Sequence, residues 1–213
     1  MSININEVSI PDSAIAKAVT DVVRDTESDL LFNHSSRVYF WAALAAKHKN
    51  IAVDHELLYV GCMFHDMGLT KRYCSCDKRF EVDGANAAAD FLRSYHVSQN
   101  DIDKVWTGIA LHTTPGIPEF MAPEIAFITA GVEMDVLGIN FDAYQEEIRE
   151  SVVKKYPRSQ NFKEDIIQAF YDGIEFKSQT TFGNVKADVV ADKVAGFERL
   201  NFCSIIRNSK WPA

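Results

Sequence analysis

The sequence has no long hydrophobic run, no tract of like charge and almost no alternating apolar pattern. No apolar stretch reaches the ~18 residues that cross a bilayer, so no membrane span is expected. The opening MSININEVSIPDSA has neither a basic n-region nor an apolar h-region, so it does not read as a signal peptide. No Lys/Arg run of the kind that tracks phosphates occurs, and the formal charge is −8. A field of that sign repels a nucleic-acid backbone, so neither nucleic acid nor a membrane is an expected partner. Cysteine is scarce: Cys62, Cys74, Cys76 and Cys203. Cys74 and Cys76 form CxC rather than CxxC, and no second Cys/His pair has structural-zinc spacing. Reduced thiols in a cytoplasmic protein are the default for such usage. There is no repeat, low-complexity tract or linker.

What is there is apolar and helical. Hydrophobic residues make up 47 % of 213 positions, enough for one domain with a sizeable core. Ile15, Val19, Val22 and Val23 recur at spacings of three and four after Pro11. A second stretch, Ser36 to Ala46, sets Val38, Trp41, Ala42 and Ala45 on one face. Asp54 reads as the N-cap of a third helix through Phe64, with Gly68 as its stop. Glu81 to Tyr95 and a segment opened by Ser98 carry further helical patterns. HTTPGIPEFMAPE is a loop, and Pro123 starts a helix that passes Asp135 and ends at Gly138. Amphipathic stretches follow at Phe141–Lys155, Phe162–Phe176 and Ala187–Leu200, with FKSQTTFGNVK as a surface loop. The expectation is one all-α domain, a bundle of roughly eight or nine helices.

The chemistry concentrates in GCMFHDMGLT, where His65 and Asp66 are neighbours directly after an apolar run. Burying that pair is costly unless something neutralises it. A divalent metal does so, and imidazole with carboxylate suits zinc, iron, manganese or nickel better than calcium. His34 upstream and Asp135 downstream complete a set of two histidines and two aspartates. His48, His55 and His96 lie in polar settings, whereas His34, His65 and His112 lie in apolar helical segments.

Asn33-His34, His65-Asp66 in FHDMG, and Asp135 resemble the H…HD…D signature of the HD-domain superfamily of metal-dependent hydrolases. The resemblance covers about residues 31–138, with 139–213 as a C-terminal helical extension. It implies an all-α fold and a metal held by His34, His65, Asp66 and Asp135. FNHSSRVYFW, HDMGLT and RFEVDGANAA further resemble the cyanamide hydratase-like branch, which implies zinc and addition of water to a nitrile. The 5′-deoxynucleotidase-like members carry a glutamate three residues beyond the HD aspartate. Leu69 stands there, followed by Thr70, which argues against a nucleotidase of that kind.

A metal in such a site activates water for attack on carbon or phosphorus. His112, Glu81 and Asp83 are candidates for the accompanying proton transfer, although Glu81 and Asp83 equally suit a helix N-terminus. Asn33, Arg37, Thr70 and Thr113 are the candidate substrate contacts. Tyr39, Phe40, Trp41 and Trp106 are either pocket lining or core. The expected partner is a small molecule, and the amphipathic helices after Gly138 leave room for a homodimer. The competing readings are a phosphohydrolase acting on a nucleotide or other phosphomonoester, and a catalytically inactive metal-binding module.

Overall fold

Ser13, Ser28, Asp54 and Ser98 each start a helix by accepting a hydrogen bond from a backbone N–H in the first turn. Each such cap stabilises its helix by about 1 kcal/mol. In the computed structural model, which describes residues 4–181 and 185–212, the helices that follow are α1 (Ala14–Thr26), α2 (Asp29–His48), α3 (His55–Phe64) and α5 (Gln99–Leu111). Between the last two lies α4 (Phe80–Ser94). Beyond the proline loop come α6 (Pro123–Val132), α7 (Glu146–Lys155), α8 (Phe162–Ile174), α9 (Val185–Lys193) and α10 (Phe202–Arg207). The fold is all-α, with ten α-helices among the described residues. Its one sheet there is a hairpin of β1 (Asn4–Ile5) and β2 (Val8–Ser9). No described helix is long and apolar enough to cross a membrane.

α2 runs through the middle of the core. Val38, Tyr39, Phe40, Trp41 and Ala42 are all fully buried, on every side of the helix. A helix apolar all round has no face for solvent. Accordingly α3 and α6 pack against it, and α4 and α5 extend that layer. A smaller apolar cluster of Leu31, Leu69, Phe80, Val136, Phe162, Ile166 and Ile206 joins α8 and α10 to the bundle.

Several boundaries differ from the expected ones. α2 begins at Asp29, so His34 lies in its second turn rather than at its start. The cap at Ser28 and the burial of Leu31 and Phe32 extend it. Gly68 does not stop α3 by a left-handed turn; it lies within a 3-10 turn, Met67–Leu69. Its lack of a side chain permits close packing, because a Cβ there would stand 1.9 Å from the Phe80 carbonyl oxygen. The helix expected over Ala187–Leu200 stops at Lys193, and α10 lies beyond it. Part of the expected FKSQTTFGNVK loop is a 3-10 segment, Glu175–Thr181, and residues 182–184 lie outside the described residues.

Gly68→Ala is expected to destabilise the protein by at least about 1–3 kcal/mol, because the obstructing atom is backbone. Urea denaturation measures this, and an unchanged midpoint would refute the close packing.

Candidate metal centre

His34, Arg37 and Trp41 are spaced three and four apart on α2, so they share one face. All three reach Asp135. Arg37 donates to it twice, Nε to Oδ1 at 2.8 Å and Nη2 to Oδ2 at 2.9 Å. Trp41 Nε1 donates to Oδ1 at 2.9 Å, and His34 Nδ1 bonds Oδ2 at 2.7 Å. Arg158 Nη1 adds the Asp135 carbonyl oxygen at 2.9 Å. Asp135 itself sits in a π-helical turn, Glu133–Leu137, that closes on Gly138 at φ 69°. Such turns recur at functional sites because they re-aim one side chain out of helical register.

His65 caps the C-terminus of α3, and Asp66 follows at φ −101°, ψ 3°. That bridge-region conformation departs from the helix and turns the carboxylate back toward its neighbour. His65 Nε2 lies 3.3 Å from Asp66 Oδ2 and 3.2 Å from His34 Nε2. The third side of the triangle, His34 Nε2 to Asp66 Oδ2, is 3.6 Å. His34, His65 and Asp66 are completely buried.

The hydrogen bonds fix the ring tautomers. His34 Nδ1 faces a carboxylate, so it donates. His65 Nδ1 faces the Cys62 carbonyl at 2.7 Å, and His112 Nδ1 faces the Ile109 carbonyl at 2.7 Å, so both donate. In the neutral rings each Nε2 is therefore a bare lone pair. Two of these point at each other, and both oxygens of Asp66 and Nε2 of His112 are buried without a hydrogen-bond partner. Buried acceptors in that arrangement call for a shared cation. An ion bound at about 2.0–2.2 Å spaces its ligands roughly 3.0–3.6 Å apart, which the triangle matches. These residues fit a divalent metal.

Burial opposes charge on Asp66, but His65, His34 and His112 around it hold its carboxyl well below the usual range. Burial also opposes charge on His65, yet Asp66 outweighs it and raises the pKa. Burial, aided by His65, pushes His112 down to about 4. Burial lowers His34 as well, against the pull of Asp135.

The expected fourth ligand stands elsewhere. Asp135 lies on the Nδ1 side of His34, away from the triangle, and both its oxygens are already engaged by Arg37, Trp41 and His34. It is placed to orient His34, as carboxylates behind metal-binding histidines do. His112 Nε2 lies 3.7 Å from Asp66 Oδ1, beside the triangle.

The other expected site residues are placed by their hydrogen bonds. Arg37 is buried and spends four of its five N–H groups on Asp135 and the carbonyls of Tyr156 and Pro157, so it serves the fold rather than standing free for a substrate. Asp83 accepts from Ser75 and from the buried Lys177 Nζ at 2.8 Å, an ion pair that ties the Glu175–Thr181 segment to α4. Glu81 accepts from Arg79 and Thr113, each at 2.5 Å. Burial pushes its pKa up, but these two bonds and the nearby His112 bring it below the ordinary value. Thr70 Oγ1 donates to the Met67 carbonyl at 2.6 Å. Asn33 is partly buried and makes no side-chain hydrogen bond among the described residues. Tyr39, Phe40 and Trp41 are core.

The structure adds residues that sequence reasoning missed. Phe162 packs its ring 6.2 Å from that of His34, and the Arg158 guanidinium lies over the Phe162 ring, 3.7 Å from its centre. Glu27, at the α1–α2 junction, is buried and near enough to Asp66 for the two carboxyls to repel. Only the amphipathic pattern of α8 hinted at Phe162; Glu27 and Arg158 carry no sequence signal.

An all-α scaffold with a buried two-histidine, one-aspartate cluster defines a candidate divalent-metal centre. The family model of the HD domain matches residues 31–171, running past Gly138 through α7 and most of α8. The chain belongs to the HD domain family, most of whose members are metal-dependent hydrolases. No curated protein matches the chain.

Arg37→Leu is expected to destabilise the protein by about 3–5 kcal/mol, since it leaves Asp135 as a buried charge short of its main partner. Chemical denaturation reads the loss; a change below about 1 kcal/mol would contradict the assignment. Chelation should lower the melting temperature and zinc restore it, by about 2.7 kcal/mol of stabilisation at a hundredfold excess over Kd.

Proposed function

We propose that this protein is a metal-dependent hydrolase or hydratase that adds water to a small, largely uncharged molecule, in the manner of the cyanamide hydratase-like branch it resembles. His34, His65 and Asp66 hold one divalent transition metal, zinc in first place. The observation that carries this reading is the triangle of bare, buried donor atoms. When bound, the ion makes water a nucleophile at neutral pH and polarises the electrophile. Asp135 keeps His34 in the tautomer that presents Nε2. His112 Nε2, neutral at pH 7 and unpartnered, receives the proton of the attacking water. Asn33 and Thr113 stay candidates for orienting the substrate.

The preference for a small neutral substrate rests on two features. His34, His65 and Asp66 are wholly buried and His112 nearly so, which leaves no room for a polymer. Nearby cations are paired with carboxylates: Arg37 with Asp135, Arg79 with Glu81, Lys177 with Asp83. One observation favours a phosphomonoester instead. Arg158 Nε and Nη2 are buried without partners and so retain donors for an anion.

The experiment is a screen of cyanamide and small nitriles beside a phosphomonoester panel, with metal content measured on the same samples. The reading expects about one metal per chain, urea or amide formation, and loss of metal in both His65→Ala and Asp66→Ala. Phosphate release without nitrile hydration transfers the assignment to a phosphohydrolase. Retained metal with no turnover on either panel supports a regulatory module, and metal-free activity overturns the centre.

A further inference from the structure

His112 stands where α5 is least able to hold it. It follows the last residue of the helix, and its backbone N–H reaches the Ile109 carbonyl at 3.4 Å, beyond the usual range for such a bond. Helix ends fray, so a side chain there keeps one direction only if something outside the helix holds it.

The first turn of α4 holds it on two sides. The Phe80 ring meets the His112 ring edge-on, with centres 5.6 Å apart. Glu81 Oε1 accepts from Oγ1 of Thr113, the residue directly after His112, at 2.5 Å. Arg79 Nη2 donates to the same oxygen at 2.5 Å and Arg79 Nε to Oε2 at 3.4 Å, so the carboxylate is gripped side-on. The same helix is pressed against the metal-ligand turn, where a Cβ at Gly84 would stand 3.1 Å from the His65 carbonyl oxygen. One element therefore abuts the backbone of His65 and anchors His112, and the two rings lie 4.9 Å apart at 90°.

We propose that Glu81 is the positioning residue of His112: through Thr113 it fixes the end of α5 so that His112 Nε2 faces the metal site. The inference rests on the reading of His112 as proton acceptor given above. Nε2 lies 3.7 Å from Asp66 Oδ1, beside the triangle of metal donors. Glu81 is 4 % exposed, and Arg79 and Thr113 engage both its oxygens, so its carboxylate is committed to the scaffold and not to the reacting atoms. The single hydroxyl proton of Thr113 is spent on it. Proton transfer demands a close and aligned acceptor, and a misplacement of about 1 Å costs on the order of a hundredfold in rate.

The test compares the zinc-loaded full chain with Glu81→Ala and Glu81→Gln, on whichever panel substrate reacts. Glu81→Ala is expected to lower kcat about ten- to a hundredfold with KM and zinc content unchanged, since the loss falls on the transition state alone. Glu81→Gln keeps an oxygen for Thr113 and should recover most of that loss. In imidazole NMR the His112 resonances should shift or broaden in Glu81→Ala while those of His65 stay in place. If Glu81→Ala folds poorly, Thr113→Val removes the same bond from the other side and should show the same fall in kcat. Glu81→Gln as slow as Glu81→Ala means that the carboxylate itself takes part in the chemistry, which overturns the positioning role. Loss of zinc, a rise in KM alone or unmoved His112 resonances overturn it too. A parent that turns over neither panel overturns the hydrolase or hydratase reading, and this role with it. An active parent matched within about threefold by Glu81→Ala overturns the role of Glu81 alone.

Discussion

Two imidazole lone pairs aimed at each other across 3.2 Å, in a region without solvent, repel unless something positive lies between them. Everything around the centre enforces that confrontation. Cys62 and Ile109 offer carbonyls to His65 and His112, while Asp135 offers a carboxylate to His34. Each partner accepts a hydrogen bond from Nδ1–H, which keeps the ring proton there and leaves Nε2 bare. The chain thereby builds electron-rich atoms into its core and leaves them unsatisfied, which costs stability unless a cation or a proton compensates.

Asp135 is the pivot of the support. One carboxylate gathers Arg37, Trp41 and His34 from a single face of α2, and Arg158 binds its carbonyl. These contacts join α2, the π-turn after α6 and the segment before α8. Phe162 then covers His34, with its ring faced by Arg158. The geometry is therefore set from behind, by hydrogen bonds to the far side of a ligand ring, and the packing of α8 keeps water away. A site fixed in this way tolerates little displacement of α2, whose burial on every side supplies the rigidity.

Much of this was legible in the sequence, and what was not has physical reasons. Helical spacing located most of α1 through α8, helped by the local signals at Asp54, Ser98 and Pro123. His34, His65 and Asp66 were legible because ionisable residues in apolar helices need neutralising. Asp135 lacked only direction: the sequence placed it with His34 but could not say which ring nitrogen it faced, and the structure sets it on the Nδ1 side. Arg37 and Asp83 looked free because their partners are distant in the chain, 98 and 94 residues away for Asp135 and Lys177. Glu27 gave no signal at all, since its burial arises from how α1 meets α2. Contacts of that kind depend on tertiary packing, which periodicity does not encode.

The central claim is that the Nε2 atoms of His34 and His65 are bare donors shared by one metal. Nitrogen-detected NMR of the imidazole rings tests it most directly, on the full chain before and after zinc is added. The account predicts Nδ1-protonated rings for His34 and His65, with both Nε2 resonances moving to metal-bound positions on zinc addition. Nε2-protonated rings whose resonances do not respond to zinc would contradict it.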